Sequence, residues 1–306
     1  MGARLAGIGT SLPEKVLTND DLAQMMDTSD EWIRERTGIR ERRIGLPTSS
    51  LGIESGRAAI DMAGLDPTDI DLLILSTTTP DQRVPGTAAV IHAELGLDCG
   101  AFDLNAACAG FTYGWVVAHS MLDAPGGPRR VLLVGADALS PITDWEDRGT
   151  AILFSDGGGA VVLEHTDDDT LLGWDLGADG NHRRLLMGDH DSKITMEGRE
   201  VFKVAVRAVT GSVLTALDRA GMGPGDVDVL LPHQANIRII EAICKRTGIP
   251  FERSYNTIEH TGNNSSGTIP LAMAKAHAEG ALQPGAIVVM TGFGAGMSWA
   301  TTVSRW

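Results

Sequence analysis

The stretch Ala58-Ala59-Ile60-Asp61-Met62-Ala63-Gly64-Leu65-Asp66-Pro67-Thr68-Asp69-Ile70-Asp71-Leu72-Leu73-Ile74-Leu75 returns far downstream as Thr215-Ala216-Leu217-Asp218-Arg219-Ala220-Gly221-Met222-Gly223-Pro224-Gly225-Asp226-Val227-Asp228-Val229-Leu230-Leu231. Ala59 matches Ala216, Gly64 matches Gly221, Pro67 matches Pro224 and Asp71 matches Asp228, always 157 residues apart (224 − 67, 228 − 71). The same offset carries Val131-Leu132-Leu133-Val134-Gly135 onto Val288-Val289-Met290-Thr291-Gly292. A period this long excludes a solenoid and makes each copy a domain-sized half. Each half alternates helical stretches with short β-branched runs, the pattern of an α/β layer with a largely parallel sheet. Two similar halves are expected, residues 1–165 and 166–306, packed about a pseudo-twofold axis and joined at the polar run Thr166-Asp167-Asp168-Asp169-Thr170. Loops leaving equivalent strands of such halves can converge on one cleft, where chemistry is expected.

Between the copies, Gly100-Ala101-Phe102-Asp103-Leu104-Asn105-Ala106-Ala107-Cys108-Ala109-Gly110-Phe111 runs as a strand into a cysteine crowded by small residues. Residues 109–122 then read as a helix that is apolar nearly all round, and hence buried. At the N-terminus of that helix, Cys108 would meet unpaired backbone N–H groups and the positive end of the dipole, which favour a thiolate. Under the 157-residue offset, Cys108 falls opposite Ser265 in Thr261-Gly262-Asn263-Asn264-Ser265-Ser266-Gly267. The competing reading is a free cysteine that only packs.

The 306 residues are 43% apolar and 21% charged, ordinary for a globular chain with a large core. No apolar run reaches the roughly 18 residues of a membrane span. The N-terminal Arg4-Leu5-Ala6-Gly7-Ile8-Gly9 reads as a strand rather than a secretion signal, so a cytoplasmic protein without membrane contact is expected. Three cysteines, Cys99, Cys108 and Cys244, support neither a disulfide framework nor a Cys-rich metal site. A formal net charge of −15 disfavours nucleic acid as a partner.

Three segments of the second half are candidates to face Cys108. Leu230-Leu231-Pro232-His233 ends a buried strand in a histidine, Gly262-Asn263 carries an amide, and Gly292-Phe293-Gly294-Ala295-Gly296 offers close-approaching backbone. Taken singly they read as a core histidine, a turn residue and a tight strand connection. Together with a thiol they suit acyl transfer through a thioester, with donors placed for an oxyanion. His260 competes for the imidazole role but ends no buried strand.

Those residues, in order, resemble β-ketoacyl-acyl carrier protein synthase III, a condensing enzyme of the thiolase superfamily. The likeness spans the chain. It rests on Ser29-Asp30-Glu31-Trp32-Ile33…Arg36-Thr37-Gly38, Asn105-Ala106-Ala107-Cys108-Ala109-Gly110-Phe111, Asp147-Arg148-Gly149-Thr150, His233-Gln234-Ala235-Asn236 and Gly262-Asn263, among other segments. The resemblance implies an α/β thiolase-like fold of two duplicated halves in an αβαβα arrangement. It also implies acyl-CoA-primed decarboxylative condensation with malonyl-acyl carrier protein through an acyl-Cys108 intermediate. Cys108, His233 and Asn263 would then be the catalytic triad, with the N–H groups of Cys108 and Ala295 as oxyanion hole. Thr28, Trp32, Arg36 and Arg148 would bind coenzyme A, with Trp32 and Arg148 sandwiching the adenine.

By the same resemblance Lys203, Arg207, Arg238, Lys245 and Arg246 would dock the carrier protein, and Val84 would reach a partner subunit's acyl pocket in a homodimer. No permanently bound cofactor and no metal is implied; acyl-CoA is a substrate. The chain departs from the family's pattern at Ala295, at Asn264-Ser265-Ser266-Gly267, at Val84 and in a short Met187–Arg199 segment. Two alternatives follow: a specialised acyltransferase of secondary metabolism with an unusual starter or an oxygen or nitrogen nucleophile, and a non-catalytic partner subunit.

Overall fold

The structure is a computed structural model that describes residues 1–189 and 192–306. Its first elements are β1 (Ala3–Ser11), β2 (Val16–Thr18), α1 (Asn19–Met25), α2 (Asp30–Thr37), β3 (Glu41–Arg43), α3 (Thr48–Ala63), β4 (Leu72–Ser76), α4 (Thr87–Leu95) and β5 (Gly100–Leu104). Next come α5 (Gly110–Leu122), β6 (Arg130–Ala138), α6 (Arg148–Ala151), β7 (Asp156–His165), β8 (Leu171–Ala178), β9 (Leu186–Met187) and β10 (Thr195–Met196). The chain ends with α7 (Gly198–Arg219), β11 (Val229–Pro232), α8 (Ile237–Thr247), α9 (Ile258–Thr261), α10 (Thr268–Ala278), β12 (Ile287–Gly294) and β13 (Ser298–Arg305).

The residues that repeat in sequence each have a local job. Gly64 and Gly221 end their helices in the left-handed region, at φ 68° and 67°, where a side chain is disfavoured. Pro67 and Pro224 open short 3-10 turns. The Asp71 carboxylate accepts the N–H groups of Arg129 and Arg130, and that of Asp228 accepts the N–H of Ile287, so each holds the start of the next strand. Ala59 and Ala216 lie where a strand presses on the helix: a Cβ on Gly7 would lie 2.1 Å from the Ala59 carbonyl oxygen, and one on Gly173 2.3 Å from that of Ala216.

Two sheets result, ordered β1-β7-β6-β4-β5 and β11-β12-β13-β8. They are mixed rather than largely parallel. Pairs β4–β5, β4–β6 and β11–β12 are parallel, whereas β1–β7, β6–β7, β12–β13 and β8–β13 are antiparallel. The three residues between β12 and β13 are too few for a parallel crossover, so that pair closes as a hairpin. Helices α5 and α10 lie between the sheets, where Phe111, Trp115, Ile269 and Met273 share one core with Ile74, Leu133, Leu231 and Met290. Helices α3 and α4 cover the outer face of the first sheet, and α7 and α8 that of the second. The layers are therefore α, β, α, β, α. Among the described residues no helix is long and apolar enough to cross a membrane.

Candidate active site

The cysteine sits on a tight turn between β5 and α5. Asn105 Oδ1 accepts the Ala107 N–H at 3.1 Å, Ala107 is left-handed at φ 51°, and a 3-10 turn over Ala107–Ala109 feeds the helix. The same turn is built again before α10. There Asn263 Oδ1 accepts the Ser265 N–H at 3.0 Å, Ser265 stands at φ 52°, and a 3-10 turn spans Ser265–Gly267. The two turns correspond at an offset of 158 (263 − 105, 265 − 107), one more than the strands. The mate of Cys108 is thus Ser266, and Ser265 pairs with Ala107, which corrects the expected Cys108–Ser265 pairing. The connection ahead of the second turn is one residue longer, and the strand offset of 157 returns at β12 (288 − 131).

His233 follows β11 and is buried. Its Nδ1 lies 2.7 Å from Thr268 Oγ1, and Thr268 donates its only hydroxyl proton to the Ser265 carbonyl at 2.8 Å. Nδ1 therefore carries the imidazole proton and Nε2 is left as an acceptor. Burial pushes the His233 pKa down to about 3, opposed by the Ser265 backbone, so the ring is neutral near pH 7. Asn263 has its Oδ1 committed to Ser265, which leaves the Nδ2 hydrogens as its donors. Cys108, His233 and Asn263 line one cavity of about 640 Å³, with Phe293 and Gly294. The Phe293 ring meets the His233 ring edge-on at 5.9 Å.

Cys108 is not a resting thiolate. Burial pushes its thiol up to about 12, and the Asp137 charge adds to that; Ser265 and the residue's own backbone pull it down. The helix entry is present, but desolvation of the half-buried sulfur outweighs it. The resting pair is a thiol and a neutral imidazole. Ala295 borders a second cavity of about 590 Å³ that also touches Cys108, with Leu139, Ile142, Phe154, Leu186 and Ile194 along its wall. In the Ala295 loop the left-handed residues are Gly296 and Met297, so alanine at 295 is under no such strain.

At the mouth of the first cavity stand Arg36, Arg199, Lys203 and Arg238. Ser29 caps α2, and Trp32 on that helix has the Arg36 guanidinium 4.2 Å and the Arg148 guanidinium 4.5 Å from its ring centre. Arg148 also donates to the Asp27 carbonyl at 2.8 Å. An adenine needs about 3.5 Å on each of its faces, so the Trp32–Arg148 pair must part to admit one. Thr28 is half-buried beside this helix, and among the described residues its hydroxyl has no hydrogen-bond partner. Arg207, Lys245 and Arg246 are exposed on α7 and α8 but do not line the cavity, and Lys203 is paired with Glu200 at 2.7 Å. Val84 is 85% exposed and lines neither cavity. His260 is at the surface beside Glu41 and Glu259. Of the Met187–Arg199 segment, His190 and Asp191 lie outside the described residues.

Sequence reasoning missed Arg199, Thr268 and Asp137. Only Asp137 carries a signal, being an acid near the end of the apolar run Val131-Leu132-Leu133-Val134-Gly135-Ala136. It is fully buried, its Oδ1 accepting from Thr77, Thr78 and Thr79 and its Oδ2 from Ser266.

Two family models match the chain: 3-oxoacyl-[acyl-carrier-protein] synthase III over residues 102–180, and the C-terminal part of the same enzyme over 217–306. A β-ketoacyl-[acyl-carrier-protein] synthase III from Bacillus anthracis is 46% identical over all of this chain and 99% of its own. The crystal structure of 3-oxoacyl-[acyl-carrier-protein] synthase III from Aquifex aeolicus matches with a TM-score of 0.97 at 41% identity, covering 100% of both chains. A priming β-ketosynthase from a polyketide pathway matches with a TM-score of 0.94 at 35% identity, over 99% of this chain and 96% of that one.

Proposed function

This chain belongs to the β-ketoacyl-acyl carrier protein synthase III family, with its thiolase-like fold, and on that premise we propose that it joins an acyl group from acyl-CoA to malonyl-acyl carrier protein with loss of CO2. The observation that carries the reading is the meeting of Cys108, His233 and Asn263 on one cavity. In the first half-reaction Cys108 Sγ attacks the thioester carbonyl while His233 Nε2 takes the thiol proton, then returns it to the departing CoA sulfur. The N–H groups of Cys108 and Ala295 hold the oxyanion. In the second, malonyl-thioester loses CO2 and Asn263 Nδ2 donates to the enolate oxygen. His233 joins it from Nε2 in the tautomer formed when water in the cavity takes the Nδ1 proton and supplies one at Nε2, the Thr268 hydroxyl then turning its own proton to Nδ1. The enolate carbon attacks acyl-Cys108 and the thiolate leaves.

Thr28, Trp32, Arg36 and Arg148 form the coenzyme A entrance, an indole and planar guanidinium groups being suited to a base face. Lys203, Arg207, Arg238, Lys245 and Arg246 form the docking face for an acidic carrier protein, which the net charge of −15 otherwise repels. The chain divides into functional halves at 165/166. It acts as a cytoplasmic homodimer joined along β5, whose outer edge is unpaired in the sheet order and whose Gly100, Ala101 and Phe102 are exposed. Val84 of one subunit then reaches toward the acyl cavity of the other. A second reading, a larger or unusual starter, is favoured by the roughly 590 Å³ cavity beside Cys108, far more room than an acetyl group needs.

The test is intact-protein mass spectrometry after incubation with short, branched and aromatic acyl-CoAs, with Cys108→Ser alongside. One acyl increment that the variant lacks, discharged by malonyl-acyl carrier protein with CO2 release, is the expected result. Absence of any increment overturns the reading.

A further inference from the structure

Ser265 is linked to each member of the constellation, to Asn263 directly, to His233 through Thr268 and to Cys108 across a shared cavity. Its N–H fixes the Asn263 amide, and its carbonyl takes the Thr268 proton and so sets the tautomer of His233. These are backbone roles that any residue able to stand at φ 52° could fill; its mate Ala107 holds the same conformation without a hydroxyl. The Ser265 hydroxyl is therefore surplus to the turn. It is also buried, with the residue 1% exposed, and among the described residues it has no hydrogen-bond partner of normal geometry. A buried hydroxyl without a partner costs folding free energy, and glycine or alanine would avoid it. Ser265 and Cys108 border the same cavity. Among side chains, Ser265 is the one that draws the Cys108 thiol's pKa downward against burial.

We propose that Ser265 is a fourth catalytic residue, whose hydroxyl donates a hydrogen bond to the Cys108 sulfur when that sulfur carries negative charge. A neutral thiol is a poor acceptor, which explains a donor uncommitted at rest. As the thiol proton passes to His233 Nε2 and the sulfur–carbon bond forms, Ser265 Oγ–H supports the developing thiolate. When the enolate carbon displaces the sulfur, the same donor receives the leaving thiolate; no proton is transferred from the serine at either step. This rests on the reading of Cys108 as the acyl-carrying nucleophile.

Two variants separate the hydroxyl from the turn. Ser265→Ala removes the hydroxyl and keeps a side chain in the left-handed region; Ser265→Gly removes it and relaxes the backbone. Alkylation of Cys108 by iodoacetamide, followed by intact mass across pH 6–9, needs no CoA or carrier protein. A hydrogen bond to a charged group is worth about 1.5–3 kcal/mol, one to two pK units. Partial compensation by higher sulfur nucleophilicity leaves a three- to tenfold slower alkylation at each pH. Both variants are expected to show it, with acylation by acyl-CoA slowed about tenfold and melting temperatures near or above that of the unaltered protein. If Ser265→Gly alkylates and acylates at the unaltered rate, the hydroxyl role is overturned, whatever Ser265→Ala does. Failure of the unaltered protein to acylate would instead overturn the nucleophile reading, and the alkylation series would still decide whether Ser265 supports the thiolate.

Discussion

The turn at Asn105–Gly110 and the turn at Asn263–Thr268 share a backbone and differ in what surrounds them. Ser266, the mate of Cys108, has its N–H 3.0 Å and its hydroxyl 2.6 Å from Asp137 Oδ2, with the Ser76 carbonyl 2.8 Å away. Its N–H and its hydroxyl are both engaged, and the result is a buried clamp between the halves. Around Cys108 the matching strand positions are different. Asp137 becomes Gly294 and Ser76 becomes His233, each 157 residues on (294 − 137, 233 − 76). A Cβ on Gly294 would lie 2.4 Å from the Cys108 nitrogen, so no side chain can stand where the carboxylate stands in the mate. In one copy the residue at the cysteine's place has its N–H and hydroxyl tied to Asp137; in the other that place leaves a thiol and backbone donors facing a cavity. The lesson is that the candidate active centre lies where the duplicate lacks its partner carboxylate.

The largest effect expected from breaking this comparison is at the paired residues themselves. Cys108→Ser should lower acyl-adduct formation by about a thousandfold or more. Ser266→Ala should keep acylation within a few fold while losing about 2 kcal/mol of stability, read by urea denaturation, because Asp137 loses a buried donor.

The helices that leave the two turns allow a pH test. His119 on α5 corresponds to His277 on α10 at the turn offset (277 − 119), yet His119 is buried with its pKa pushed down to about 4, while His277 is exposed. A depressed histidine contributes its full stability above the unfolded value of about 6.5 and loses it as pH falls toward the folded value. Between pH 7 and pH 4 this component amounts to about 3 kcal/mol, and buried neutral His233 acts in the same direction. Thermal melts across this range should show a shallower acid slope for His119→Gln than for the unaltered protein.

Filling the missing place is the next test. Gly294→Ala should slow acylation about a hundredfold, since the turn must retreat from the new methyl group and the oxyanion donor with it. The smallest effect expected is Asp137→Asn, with about 2 kcal/mol lost in urea and acylation reduced only through the loosened Asn263 turn. A greater loss of acylation than of stability would mean that the carboxylate acts on Cys108 directly.

The meeting of Cys108, His233 and Asn263 on one cavity was expected from the duplication and the family resemblance rather than from any one segment. The strand and helix alternation and the strand ends at Gly135 and Gly292 were legible because apolar periodicity and turn chemistry are local. The mixed direction of the sheets was not, since parallel and antiparallel strands have similar composition when both faces are covered. The one-residue slip that pairs Cys108 with Ser266 was also hidden, because repeats align on strands while turns take their register from backbone hydrogen bonds such as Asn105 to Ala107.

By itself the sequence determined a duplicated α/β chain with a thiol, an imidazole and an amide at matching ends of its halves. Only the tertiary structure decided their states. Desolvation pushes the Cys108 thiol up and the His233 imidazole down, and a chain of hydrogen bonds through Thr268 and Ser265 sets which ring nitrogen is left as an acceptor. Desolvation and hydrogen-bond direction depend on what packs from distant segments, and no local pattern of residues encodes them.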